Sequence, residues 1–250
     1  MTDDDDDDVR EVRLRSEFDD MLALRGPGSL IDFQCAPLGA EESIDLARGR
    51  ARPDVVLRGF MSVEAFQRRH PQRAPDKYLI MLRCRGVAKL ADVKRAFGTD
   101  HAAAGLPQPF TADGLVVIEE HQFEAIFPLQ YPEALPHFIW LTPIFHPNIQ
   151  GRNLCTTGRP FAPGTRLADI CRMAGQMVQY RNFNPESYLD AEAREWAVTN
   201  RRTDRLPVDR RPLVASADER LIIFVDGDPG AAGEPERPGG GPVRSLVEWV

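Results

Sequence analysis

The stretch Thr142-Pro143-Ile144-Phe145-His146-Pro147-Asn148-Ile149-Gln150-Gly151-Arg152-Asn153-Leu154-Cys155-Thr156 decides the reading of this chain. It sets a rigid His146-Pro147-Asn148 turn just ahead of a lone cysteine, Cys155, with a short polar linker between them. A cysteine attacks as its thiolate, and a side-chain amide can donate to an oxyanion. The stretch offers no obvious base.

Working outward, the segment before this stretch reads as antiparallel strands and the segment after it as helices. Leu14, Phe18 and Met21 or Leu22 recur at spacings of three and four, which predicts an amphipathic helix over residues 9 to 25, closed by Gly26-Pro27-Gly28. Leu30 to Cys35 reads as a first strand. Lys77 to about Cys84 reads as a central second strand, because Tyr78-Leu79-Ile80-Met81-Leu82 within it is nearly all apolar. Leu115 to Ile118 together with Gln122 to Phe127 suggest a third, and Phe123, Ala125 and Phe127 share a face at the period of two. Phe138 to Leu141 is a fourth. Helical spacing returns from Leu167 to Tyr180, with Thr165 as the expected N-cap, and again from Ala191 to Asn200 behind Asp190. This is an α+β layout with segregated elements.

The organisation expected is a disordered acidic tail over 1–8, a domain over 9–200 with insertions near 37–75 and 97–113, and a C-terminal extension over 201–250. The 37–75 stretch is expected to hold one short helix near Ser62 to Arg69. The extension opens basic, carries a Gly/Pro/Glu linker from Pro229 to Pro242 and ends apolar at Trp249-Val250.

The formal net charge is -7, much of it from Asp3 to Asp8, so no broad basic surface for nucleic acid is expected. No apolar run approaches the roughly 20 residues of a membrane helix, and a polyaspartate start is unlike a signal peptide. A cytoplasmic protein with no membrane partner is the expectation. Cys35, Cys84, Cys155 and Cys171 are far apart and form no metal-ligand or disulfide spacing, so neither metal nor cofactor is expected.

The ordered set Phe127-Pro128-Leu129-Gln130-Tyr131-Pro132, Leu135-Pro136, Phe145-His146-Pro147-Asn148-Ile149 and Leu154-Cys155 resembles the heart of the ubiquitin-conjugating enzymes. The order continues with Phe161-Ala162-Pro163, Asn182-Phe183-Asn184 and Leu189-Asp190-Ala191-Glu192-Ala193, and begins upstream with Arg13-Leu14 and Glu17-Phe18. The similarity spans about residues 9 to 200, and its second half resembles bacterial members of the family most. The resemblance implies a ubiquitin-conjugating-enzyme-like fold: an N-terminal helix, a four-stranded antiparallel meander and C-terminal helices.

It also implies roles. Cys155 is then the thioester-forming nucleophile of an acyltransferase that takes a ubiquitin-like modifier from an activating enzyme and passes it to a lysine. Asn148 is the oxyanion donor, a contribution of about 3 kcal/mol for one well-aimed donor, unless it only braces the turn. His146 and Pro147 hold that turn, and Ser187 stands at the mouth of the site to position the amine. Arg10, Arg13 and Arg15 face an activating enzyme, and Phe161 lies on the loop facing a ligase or target. The chain departs from the family pattern in a His146-to-Cys155 gap one residue shorter than is common, in Thr156-Thr157-Gly158 after the cysteine, and in Phe161 where tryptophan is usual.

Two other readings stay open from the residues. One is a non-catalytic binding or scaffold module of the same fold, which the cysteine disfavours. The other is a thiol protease using His121 or His137, neither of which sits in a recognisable protease setting.

Overall fold

A computed structural model describes residues 3–39, 59–97, 109–112, 114–155 and 165–215. The Phe161 position, most of the 97–113 insertion and the chain from 216 onward lie outside these residues.

The first helix, α1, runs from Asp3 to Leu24. Its backbone is helical from Asp3, inside the run expected to be a disordered tail; acidic residues favour a helix N-terminus, where the backbone dipole is positive. Leu14, Phe18, Met21 and Leu24 are buried, a stripe at helical spacing that faces the sheet.

The strands β1 (Ile31–Ala36), β2 (Lys77–Leu82), β5 (His121–Ile126) and β6 (His137–Trp140) form one antiparallel sheet in the order β1-β2-β5-β6. The architecture is α+β. Register places Phe33, Ile80, Phe123 and Trp140 in one row across all four strands. All four are buried in the main core with α1 and α4 (Leu167–Val178), and Phe123 stacks on Trp140 with ring centroids 5.7 Å apart.

Leu115 to Ile118 is not part of the third sheet strand. It is β4, paired antiparallel with β3 (Gly86–Lys89) in a second, two-stranded sheet, with helix α3 (Leu90–Phe97) between them. Two exposed glutamates, Glu119 and Glu120, separate β4 from β5, where the period-of-two pattern breaks. The 37–75 stretch also holds core: α2 (Val63–Arg69), capped by the Ser62 side chain, buries Val63 and Phe66 in the main cluster.

Glu17 joins three elements. It is fully buried, accepts from the Tyr131 hydroxyl at 3.0 Å, and accepts from the Leu167 N–H at 2.8 Å. Thr165 is therefore not the cap of α4. Arg166 occupies the cap position without a capping bond, and the Glu17 carboxylate of α1 serves the exposed N–H. The last helix, α5 (Ala191–Arg202), is capped by Asp190 as expected.

The chain beyond residue 200 returns to the core. Leu213 is buried, its carbonyl accepts from Leu30 N–H at 2.8 Å, and it packs on Gly175 of α4, where any Cβ would meet Leu213 Cδ2 at 2.7 Å. The compositional boundary near 200 is thus not a packing boundary.

Candidate functional site

The segment from His146 to Cys155, which reads as an irregular loop, is a short ribbon. Strands β7 (Ile149–Gln150) and β8 (Asn153–Leu154) pair antiparallel around a two-residue turn whose first residue, Gly151, has φ +57°. Glycine enters that region without a Cβ clash. The ribbon is anchored by fully buried Ile149 and by Trp140 N–H donating to Arg152 carbonyl at 3.0 Å. Cys155 follows β8 directly, and its N–H donates to the Asn148 carbonyl at 2.8 Å, which fixes the thiol opposite that turn.

A separate aromatic cluster holds the turn from below. Phe145, Tyr180, Phe183 and Trp196 pack with Val87, Leu115, Ala193 and Ala197. The Tyr180 hydroxyl donates to the Phe145 carbonyl, and Tyr180 itself sits at φ 56° just past α4. Such a backbone conformation disfavours a bulky residue, so the surrounding contacts must hold it.

His146 is buried among these rings, 4.9 Å from Tyr180, and its Nδ1 accepts from the Asn148 N–H at 3.1 Å. Burial pushes its pKa down to about 3. A neutral imidazole with its lone pair already engaged braces the turn and does not serve as a base. His121 is buried against Trp140, and burial takes its pKa down to about 4. His137 is exposed on β6.

Asn148 is fully buried. Its Oδ1 accepts from Asn184 N–H at 2.9 Å, while its Nδ2 donates to the carbonyls of Asn184 at 3.0 Å and Ser187 at 2.5 Å. Both amide hydrogens are committed, so the bracing role is the one seen at rest. Asn184 folds its own loop, its Oδ1 accepting from the N–H groups of Glu186 and Ser187. Buried Pro147 adds its carbonyl, which accepts from Leu189 at 2.7 Å and Asp190 at 3.1 Å. The sequence marks Asn184 only as part of an Asn-x-Asn-Pro run; that it carries half of this latch depends on a contact 36 residues away.

The latch brings Ser187 to Cys155. Their Oγ and Sγ atoms are 3.9 Å apart, and both residues are partly exposed. The other three thiols are buried, and burial raises the pKa of Cys35 and Cys84 to about 12 and that of Cys171 further. Cys155 is the accessible sulfur among them.

The arginines expected to meet a partner divide. Arg10 is 13% exposed and ion-pairs with buried Asp76 at 2.7 Å, also donating to the carbonyls of Phe127 and Pro128, so it ties α1 to the end of β5. Arg13 is partly exposed, and Arg15 is exposed beside Glu11. Among the described residues no three His, Cys, Asp or Glu side chains converge as a metal would require, and no helix is long and apolar enough to cross a membrane.

The sequence matches no known protein-family model, and no curated protein matches it significantly.

Proposed function

We propose that this chain is a ubiquitin-conjugating-like acyltransferase, which holds an activated ubiquitin-like modifier as a thioester on Cys155 and passes it to a lysine amine. The observation that carries the reading is the placement of one accessible thiol beside a hydroxyl and a fully latched His146-Pro147-Asn148 turn, with no histidine among the described residues poised on the sulfur. A hydrolase must activate water or a neutral alcohol and so calls for a base. Thioester exchange does not: the Cys155 thiolate attacks the modifier's activated carbonyl, the activating enzyme's thiol leaves as its C–S bond breaks, and a later amine displaces Cys155 in turn.

In this reading the order of elements (α1, the four-stranded meander, the ribbon, then α4 and α5) corresponds to the conjugating-enzyme fold. The exposed face of α1 with Arg13 and Arg15 meets the activating enzyme, and Arg10 supports that face from inside. Ser187 positions the amine, and Asn148 sets the turn and, on releasing one carbonyl, can donate to the oxyanion. A reducing cytoplasm keeps Cys155 free.

The test is loading with a cognate activating enzyme, modifier and ATP, read on a non-reducing gel. A reductant-labile adduct lost in Cys155→Ala is expected, and one that persists in that variant rejects the assignment. Cleavage of a modifier fusion without nucleotide would instead favour a thiol protease, and modifier binding without any adduct a scaffold module.

A further inference from the structure

The chain is nearly without lysine: of 31 basic residues only three are lysines, Lys77, Lys89 and Lys94, and the rest are arginines. Arginine supplies the same charge but stays protonated, so it is no acyl acceptor. Lysine is the acceptor in the proposed reaction. A protein carrying a reactive thioester presents its own amines to it at high effective concentration.

The structure withdraws two of the three. Lys77 on β2 is 1% exposed, with its Nζ 5.1 Å from the centre of the Phe60 ring. Lys89 at the end of β3 pairs with Glu192 at 2.6 Å and lies 5.0 Å over the Phe145 ring. Its nitrogen must leave both partners and shed a proton before it can attack. Lys94, on α3, is exposed, and among the described residues its ammonium has no ion-pair partner.

We propose that this chain is built to keep a loaded Cys155 from acylating its own carrier, and that Lys94 is the one lysine through which self-modification runs. The inference rests on the thioester reading above. In the step itself the neutral Lys94 amine attacks the thioester carbonyl, a C–N bond forms as the C–S bond breaks, Cys155 leaves as thiolate and the amine's proton passes to water. No electron is gained or lost.

The experiment uses the full chain and a small diglycine alkyl thioester as acyl donor at pH 8, with adducts mapped by mass spectrometry, beside brief labelling with an N-hydroxysuccinimide acetate. Acetylation of Lys89 is expected about fivefold slower than that of Lys94, the factor a surface ion pair supplies, with Lys77 unlabelled. The diglycyl amide is expected at Lys94, absent in Lys94→Arg and in Cys155→Ala. Arg152 is exposed in the turn three residues before Cys155; Arg152→Lys is expected to shorten the thioester lifetime about tenfold and to take the amide itself. A Cys155 thioester with its amide on Lys77 or Lys89, with no amide at Lys94, or with an unchanged lifetime in Arg152→Lys overturns this inference alone. Failure of Cys155 to form any thioester overturns the conjugating reading and this inference with it.

Discussion

The carboxamide of Asn148 meets three backbone groups at once, and that geometry makes its two candidate roles separable. Asn148→Ala leaves the Asn184 N–H and the carbonyls of Asn184 and Ser187 without their partner. A cost of about 2 kcal/mol is expected from such unmet groups, read as a lower urea midpoint. Asn148→Asp keeps the acceptor for Asn184 N–H but turns a carboxylate oxygen toward two carbonyls, so it should destabilise at least as much. If Asn148 only latches the turn, loading and transfer in Asn148→Ala fall together, in step with the loosened 184–190 loop. If it also serves the oxyanion, transfer to lysine falls on the order of a hundredfold while loading of Cys155 is spared. Single-turnover discharge of the preloaded thioester distinguishes these outcomes. The residue types at this site were legible in the sequence, because Cys, Asn and Ser announce their chemistry. Their mutual commitment was not, since hydrogen bonds from Asn148 to Asn184 and Ser187 depend on a fold that joins distant segments.

At the scale of elements, the helices and sheet strands follow from periodicity, and the misreadings occur where packing overrides local pattern. β4 and β5 looked like one strand because the sequence between them is short, yet they pair with different partners. The cap of α4 looked like Thr165 because threonine is a good local cap, yet the buried carboxylate of Glu17 supplies it from α1. Glu17→Leu therefore removes the partner of both Tyr131 and Leu167 from a site without water contact. It is expected to cost about 3 kcal/mol, whereas Arg15→Leu, on the exposed side of the same helix, should change stability by about 0.5 kcal/mol or less. Chemical denaturation of the two variants checks the contrast; equal effects would mean that Glu17 does not join α1 to α4. Packing also runs past the change of composition at the end of the described chain. Composition changes at residue 201, but Leu213 and Val214 fill the core beside α4 and Asp209 clamps Arg211 and the Arg85 N–H. Leu213→Ala is expected to cost about 3 kcal/mol as a buried large-to-small change. A chain ending at 202 should melt well below one ending at 215.

At the scale of the whole molecule, two imidazoles among the described residues are kept neutral in the interior, and this sets how stability should respond to acid. His146 lies between the turn and the aromatic cluster, and His121 sits in the main sheet, where a Cβ on Gly86 would meet its ring at 2.5 Å. Burial lowers their pKa values from 6.5 to about 3 and about 4. Between those values and 6.5 the unfolded chain binds protons that the folded chain refuses, so stability falls as pH drops through that window. Each imidazole contributes a slope of up to about 1.4 kcal/mol per pH unit. Asp209 acts in a lower window. Burial alone would raise its pKa, but hydrogen bonds from Arg211 and the Arg85 N–H prevail and hold it down to about 2. Its contribution is complete above the usual 3.8 and is lost as pH falls from there through about 2. Melting temperature should therefore begin to drop just below pH 6.5, well before carboxylates protonate, and drop again below pH 4. Asp209→Asn should make the decline below pH 4 shallower and leave the first unchanged. A melting temperature that is flat from pH 7 to pH 5 would mean that the two imidazoles take up protons without unfolding, and the turn that holds Cys155 would then be looser than its packing indicates.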